Sequence, residues 1–234
     1  MNNDIVVVIP AYNPDEKFVK FAKELFESGY NKILVLNDGS REDTYQFFRE
    51  AIKVSKCKVV SHKSNRGQGR AFKTALSYYL KNYQEDTIGV VECDCDGQHT
   101  VRDVDKCAEL LRRNQDCFIL GERHFDDKSI PLRSRFGNKM TALVFKVFCR
   151  IDIDDTQTGL KGIPKRYVSR FIDIEGERFE YASSVLIATK KNKIPIVKFP
   201  IETIYINDNE TSHFRPVKDS IIIYGLIIRS LFKR

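Results

Sequence analysis

From Glu92 the chain reads Glu92-Cys93-Asp94-Cys95-Asp96-Gly97-Gln98-His99, with an oxygen-bearing side chain at every second position as far as Gln98. On extended backbone alternate residues share a side, so Asp94, Asp96 and Gln98 face one way and can share a divalent cation or its water. Carboxylates and an amide oxygen are hard donors, suited to Mg²⁺ or Mn²⁺ and not to zinc. A solvated acidic turn has the same composition. The elements around the stretch must decide between these readings.

Other constellations narrow the chemistry. Gly67-Gln68-Gly69 has Phe72 where a dinucleotide fingerprint wants a small residue, and it follows a third strand, not the first. No G-x-x-x-x-G-K-[ST] loop occurs, so dinucleotide binding and P-loop phosphoryl transfer are both disfavoured. The six cysteines form no C-x-x-C pair, and Cys93 and Cys95 are too close in sequence for an ordinary disulfide or a zinc knuckle. Reduced structural thiols in a cytoplasmic setting are expected.

The elements that position these residues follow from periodicity. Ile5–Ile9 is a continuous β-branched run, as a parallel strand buried on both faces requires. Asn13-Pro14 reads as a helix cap, and Phe18, Phe21, Ala22, Leu25 and Phe26 then mark one helical face that ends at Gly29. Lys32–Leu36 reads as a second strand, with Asn37-Asp38-Gly39-Ser40 as a turn capping the next helix. Further strands are expected at Lys58–Ser61, Ile88–Val91 and Cys117–Leu120. Helical faces are expected through Phe72–Leu80 and Val101–Leu111. Strand alternating with helix implies an α/β fold on a doubly wound parallel sheet, whose ligands sit beyond the strands' carboxyl ends. The loops 10–14, 37–40, 62–69 and 92–99 are therefore where chemistry is expected. From about Gly121 the pattern is less regular and more basic, an acceptor-side extension of the same domain.

With 234 residues the chain can close one sizeable core, and 42% hydrophobic with 30% charged residues is ordinary globular composition. No signal peptide opens the sequence and no apolar run reaches the roughly 20 residues of a spanning helix, so a soluble or peripheral protein is expected. A net charge of +7 suits an anionic partner. Nucleic acid is a poor match, because the basic residues scatter over both halves without exposed aromatics on one face.

Taken in order, Val8-Ile9-Pro10-Ala11-Tyr12-Asn13, Asn37-Asp38-Gly39-Ser40, Asn65-Arg66-Gly67-Gln68-Gly69-Arg70-Ala71 and Asp94-x-Asp96-Gly97-Gln98-His99 each end a successive strand. The pattern continues through Gly121-Glu122-Arg123, Arg133-Ser134-Arg135-x-x-Asn138 and Asp155-Thr156-Gln157-Thr158-Gly159-Leu160, as far as Ser212-His213-Phe214. This resembles the family 2 glycosyltransferases of GT-A fold, above all the branch that glycosylates dolichyl and other polyprenyl phosphates. The resemblance implies a GT-A domain over 1–215, with a nucleotide-binding half to about 120 and an acceptor half from 121.

The resemblance also assigns residues. Pro10, Ala11, Tyr12, Asn13, Asp38, Asn65 and Gly67 fall at the UDP- or GDP-linked donor, with Asp38 either a nucleoside ligand or a turn and helix cap. Asp94, Asp96 and Gln98 fall at the Mg²⁺ or Mn²⁺ on the donor diphosphate. Arg123, Arg133, Ser134, Arg135 and Gln157 fall at the acceptor phosphate, and Asp96, Arg123 and Arg135 take the catalytic roles. Three positions depart from the pattern. Pro14 replaces a common acidic residue, so that ribose contact either falls to Asp15 or is lost; Gln68 replaces a common Lys; Ile130 replaces an Arg of the dolichol enzymes.

The family inverts the anomeric carbon, and the acceptor decides whether a base is needed. A phosphate monoester is already ionised and needs cations to hold it, for which Lys128, Arg133, Arg135 and Lys139 are available unless they form only a solvated face. A saccharide hydroxyl, the alternative acceptor in cell-surface polysaccharide synthesis, needs a carboxylate base, for which Glu177 and Glu180 are candidates. Residues 216–234 form an expected amphipathic helix. Its Ile221–Ile228 core between Lys218 and Arg229 reads as an interfacial anchor at the inner membrane face, or else as a helix packed on the core or on another protomer or integral membrane partner.

Overall fold

The computed structural model describes residues 2–123, 139–202, 222–227 and 229. The first half runs β1 (Ile5–Ala11), α1 (Glu16–Glu27), β2 (Ile33–Asn37), α2 (Tyr45–Ser55), β3 (Lys58–Ser61), α3 (Gln68–Asn82), β4 (Gly89–Glu92), α4 (Val101–Arg113) and β5 (Phe118–Arg123). Then come α5 (139–144, continuing into a π-helical turn Phe145–Cys149), β6 (Lys161–Pro164), α6 (Lys165–Ile172), α7 (Glu180–Lys191), β7 (Ile196–Ile201) and a short helical stretch α8 (222–227).

Among the described residues the strands form one sheet in the order β3-β2-β1-β4-β6-β5-β7. The continuous β-branched run of β1 is explained by helices on both faces. Ile5, Val7 and Ile9 enter one core cluster with Phe18, Leu25, Val104 and Leu111 of α1 and α4. Val6 and Val8 enter the opposite cluster with Phe72, Leu76 and Tyr79 of α3 and Phe171 of α6. All six cysteines are free, and burial pushes the thiols of Cys93, Cys95 and Cys107 up, as reduced structural thiols require.

The sheet is mostly parallel and flanked by helices, as expected; β6 alone among the described strands runs antiparallel to its neighbours β4 and β5 and is inserted between them, so both halves of the chain build one sheet. The structure corrects three expectations. Helix α1 begins at Glu16, and its cap is Asp15, whose carboxylate accepts from the Lys17 amide at 2.9 Å. Asn13 lies before it at φ 50°. The Asn37–Ser40 turn does not cap a helix, because Ser40 Oγ accepts from the Asn13 amide at 2.9 Å while α2 starts only at Tyr45. Finally, the isoleucines of α8 are not all available to a membrane. Ile223 and Ile227 are buried in the cluster that holds Phe145, Ile151 and Ile153.

Candidate active site

Strand register brings the candidate loops together. Ala11 lies opposite Asn37 and Val8 opposite Glu92, so the segments after β1, β2 and β4 leave the sheet side by side. Asp94 is held from three directions. The Gln68 side-chain amide donates to Oδ1 at 3.0 Å, His99 Nε2 stands 3.6 Å from Oδ2, and the Gly159 backbone lies beneath the carboxylate. At 3.6 Å the imidazole is beyond hydrogen-bond reach, and among the described residues both ring nitrogens of buried His99 lack hydrogen-bond partners. Asp96 Oδ1 accepts from the Gln98 amide at 3.0 Å, closing a tight turn across Gly97 at φ 84°.

The two carboxyls diverge electrostatically. Burial works against ionised Asp94, but His99, Lys161 and Arg123 outweigh it and hold the group below the usual carboxylate range. Asp96 is pushed up, first by burial and then by the charge on Asp94. Two half-buried carboxylates in this relation are relieved by a cation. Magnesium commonly binds through one or two carboxylates and completes its shell with substrate phosphates and water, which this pair suits. Among the described residues no three His, Cys, Asp or Glu side chains form a metal cage of their own.

Asp38 is buried and occupied. Its oxygens accept from the amides of Arg66 (3.0 Å) and Gly67 (2.8 Å) and meet His62 Nδ1 at 2.7 Å. It therefore braces the 64–67 loop, and caps no helix. Gly67 and Gly69 serve packing: a Cβ at Gly67 would come within 2.4 Å of the Glu177 carbonyl, and one at Gly69 within 2.5 Å of Tyr181. Pro10 and Ala11 are buried at the end of β1, Tyr12 is half-buried beyond it, and Asn13 Oδ1 accepts from the Arg41 amide. Half-buried Asn65 meets Arg178 at 3.4 Å.

On the acceptor side, Arg123 makes a forked pair with fully buried Asp155 (Nε at 2.6 Å, Nη2 at 3.1 Å). The amide of Gln157 donates to Asp155, and its side chain donates to Ser183 at 3.0 Å. Lys139 is exposed at the start of α5. Lys128, Ile130, Arg133, Ser134, Arg135, Asn138 and 212–214 lie outside the described residues. Glu177 receives Arg70 and Lys73, and Glu180 Oε1 accepts from the amides of Glu177 and Arg178 at 2.9 and 3.2 Å. Burial would raise the Glu177 carboxyl, but the two cations hold it down.

A family model described as Glycosyl transferase family 2 matches residues 6–166. The chain belongs to glycosyl transferase family 2. It is similar to a UDP-N-acetylglucosamine–dolichyl-phosphate N-acetylglucosaminyltransferase of Methanococcus voltae, 28% identical over 218 residues that cover 86% of each chain. In fold it resembles mannosyl-3-phosphoglycerate synthase from Rubrobacter xylanophilus (TM-score 0.69, 14% identity, 98% of this chain and 73% of that one). It also resembles residues 1–349 of S. aureus TarS in complex with UDP-GlcNAc (TM-score 0.57, 13% identity, 98% and 67%). The chain is thus a glycosyltransferase on a GT-A fold.

For this family 2 enzyme, sequence reasoning passed over several residues that hold the site. The buried pair Glu92–Lys161 (2.9 Å) ties β4 to β6 two residues before Asp94. Lys161 directly follows Asp155–Leu160, so a lone Lys beginning an apolar strand was the available signal. His62 gave no signal of its own. Gln68 was visible as a departure, but its contact with Asp94 was not.

Proposed function

We propose that this chain transfers a sugar from a UDP- or GDP-linked donor to a polyprenyl phosphate, with inversion at the anomeric carbon, at the inner face of the membrane. The observation that carries the choice of acceptor is the engagement of Glu177. A hydroxyl acceptor needs a carboxylate free to take a proton, whereas a carboxylate held by Arg70 and Lys73 is a weakened base, and Glu180 is occupied by backbone amides. A phosphate acceptor needs no base. Similarity to the Methanococcus voltae relative, a transferase acting with dolichyl phosphate, supports the same choice.

In this reading Asp94 and Asp96, with Gln98, would hold Mg²⁺ or Mn²⁺, which when bound would supply positive charge to stabilise the departing nucleotide. Gln68, His99 and Gly159 fix the direction of the Asp94 carboxylate. Asp38 sets the loop carrying Asn65 and Gly67 against the donor. Arg135, Ser134 and Arg133 grip the acceptor phosphate in line with the donor. Arg123, already paired with Asp155, orders the 155–161 segment.

The test incubates the protein with a polyprenyl phosphate and labelled UDP-N-acetylglucosamine, UDP-glucose or GDP-mannose. Label extracted into the organic phase is the expected result. Label found only on an added saccharide would overturn the acceptor and restore the hydroxyl reading.

A further inference from the structure

The His62 ring is almost wholly buried where β3 ends: 7% of its side chain is exposed, against 4% for Asp38, which it faces. Its amide donates to the Asn37 carbonyl at 2.9 Å, and the Asp38 amide donates to the Ala11 carbonyl at 2.9 Å. The sheet ladder thus runs one residue past β2 and β3 and sets imidazole and carboxylate together.

Both ring nitrogens are engaged. Nδ1 meets Asp38 Oδ1 at 2.7 Å, and Nε2 meets Thr74 Oγ1 of α3 at 3.0 Å. Thr74 is fixed in turn, since its hydroxyl donates to the Arg70 carbonyl at 3.0 Å. The Asp38 oxygens also accept the amides of Arg66 and Gly67. An ionised carboxylate only accepts, so the proton in the 2.7 Å contact belongs to the ring. The Thr74 contact at the far nitrogen holds the imidazole in that orientation.

What depends on this pair is the shape of the 64–67 loop. It lies directly on the turn that carries Asp38, for a Cβ at Gly39 would come within 2.2 Å of the Ser64 carbonyl carbon. Gly67 stands at φ 101°, with its amide bonded to Asp38 Oδ2. Gln68 follows at once, opens α3 and donates to Asp94. A line of contacts therefore runs from Thr74 through His62, Asp38 and the loop to Asp94.

We propose that His62 is a positioning residue for the nucleotide of the donor. Its Nδ1–H holds the Asp38 carboxylate, and Asp38 holds the backbone of residues 66 and 67 in the shape that receives the nucleotide. The proposal rests on the reading of a UDP- or GDP-linked donor and adds to it a group that acts through Asp38. It is independent of the acceptor.

The test is calorimetric titration of the full chain with UDP and with GDP, in Mn²⁺ and without acceptor. His62→Gln and His62→Ala offer no donor at the Nδ1 position and should weaken the tighter-binding nucleotide by about tenfold. His62→Asn puts an amide nitrogen where Nδ1 stands and should recover most of that loss. Circular dichroism sets a temperature at which the compared variants are folded, so that a role in stability alone would leave their affinities equal. Equal affinity in His62→Gln and the parent, or no recovery in His62→Asn, overturns the proposal and leaves the donor reading standing. A parent that binds neither nucleotide overturns both. Should His62→Gln and His62→Ala not fold, the parent decides through long-range proton–nitrogen correlation of its labelled histidines, with His62 assigned by its loss in His62→Asn. The ring should carry a proton on Nδ1, and that resonance should move when nucleotide is added. An Nδ1 without a proton, or one that nucleotide leaves unmoved, overturns the proposal.

Discussion

The carboxylate of Asp94 lies directly against the α-carbon of Gly159: a Cβ there would stand 1.8 Å from Oδ2 and 2.3 Å from Cγ. The acidic loop after β4 and the segment before β6 are fitted at that point without room for a methyl group. Gly159→Ala must push the carboxylate aside or move backbone. Overpacking of this kind costs about 1–3 kcal/mol, read as a lowered Tm. A displaced ligand should also weaken Mn²⁺ affinity by about tenfold or more, read by electron paramagnetic resonance of free Mn²⁺. Unchanged Mn²⁺ affinity would separate Gly159 from the metal.

Asp96→Asn should lower turnover by at least about a hundredfold, and excess EDTA should do the same to the parent. Burial and the neighbouring Asp94 raise the Asp96 carboxyl, so its charge opposes folding when no cation is bound. The variant should therefore melt at or slightly above the parent in EDTA and lose the parent's stabilisation by Mn²⁺. Full turnover in EDTA would remove the cation from the mechanism.

Glu177→Gln separates a structural role from a basic one. Lys73 is buried with only 7% of its side chain exposed, and Glu177 is its counter-charge. Because Glu177 is itself 43% exposed, the expected loss is moderate, about 1–2 kcal/mol, measured by urea unfolding. Turnover with a lipid phosphate should stay within a few-fold of the parent once folding is matched. A loss of several orders of magnitude in kcat would make Glu177 the base.

The pair Asp4–Arg112 ties the start of β1 to α4 with contacts of 2.8 and 2.9 Å. The Arg112 guanidinium holds the Asp4 carboxyl below its ordinary value. A depressed carboxyl stabilises the fold above the unfolded-state pKa of about 3.9, and that contribution disappears as pH falls through the lower folded value. Urea midpoints should thus drop more steeply for the parent than for Asp4→Asn between about pH 4.5 and 2.5. Both side chains are a third or more exposed, so the difference should be small and should shrink in high salt.

The sequence by itself determined β1 to β5, the apolar faces of α1, α3 and α4, and the place of Asp94 and Asp96 at a strand's end, because burial on one or two faces imprints a local period on the chain. Strand direction in the second half was not legible in this way. The Lys161–Pro164 strand carries no period that says it runs antiparallel, and its position is decided by pairing with β4 and β5. Partners were illegible for the same reason. Asp94 and Gln68 are 26 residues apart, and Glu177 is 107 residues from Arg70. The Asp38 carboxylate could meet a nucleoside or loop amides equally well until the backbone of residues 66 and 67 was placed beside it. The isoleucines of α8 read as surplus apolar area until the core cluster that also holds Phe145, Ile151 and Ile153 took in Ile223 and Ile227. Residue type sets what a side chain can do, while long-range packing decides which groups are near enough to let it.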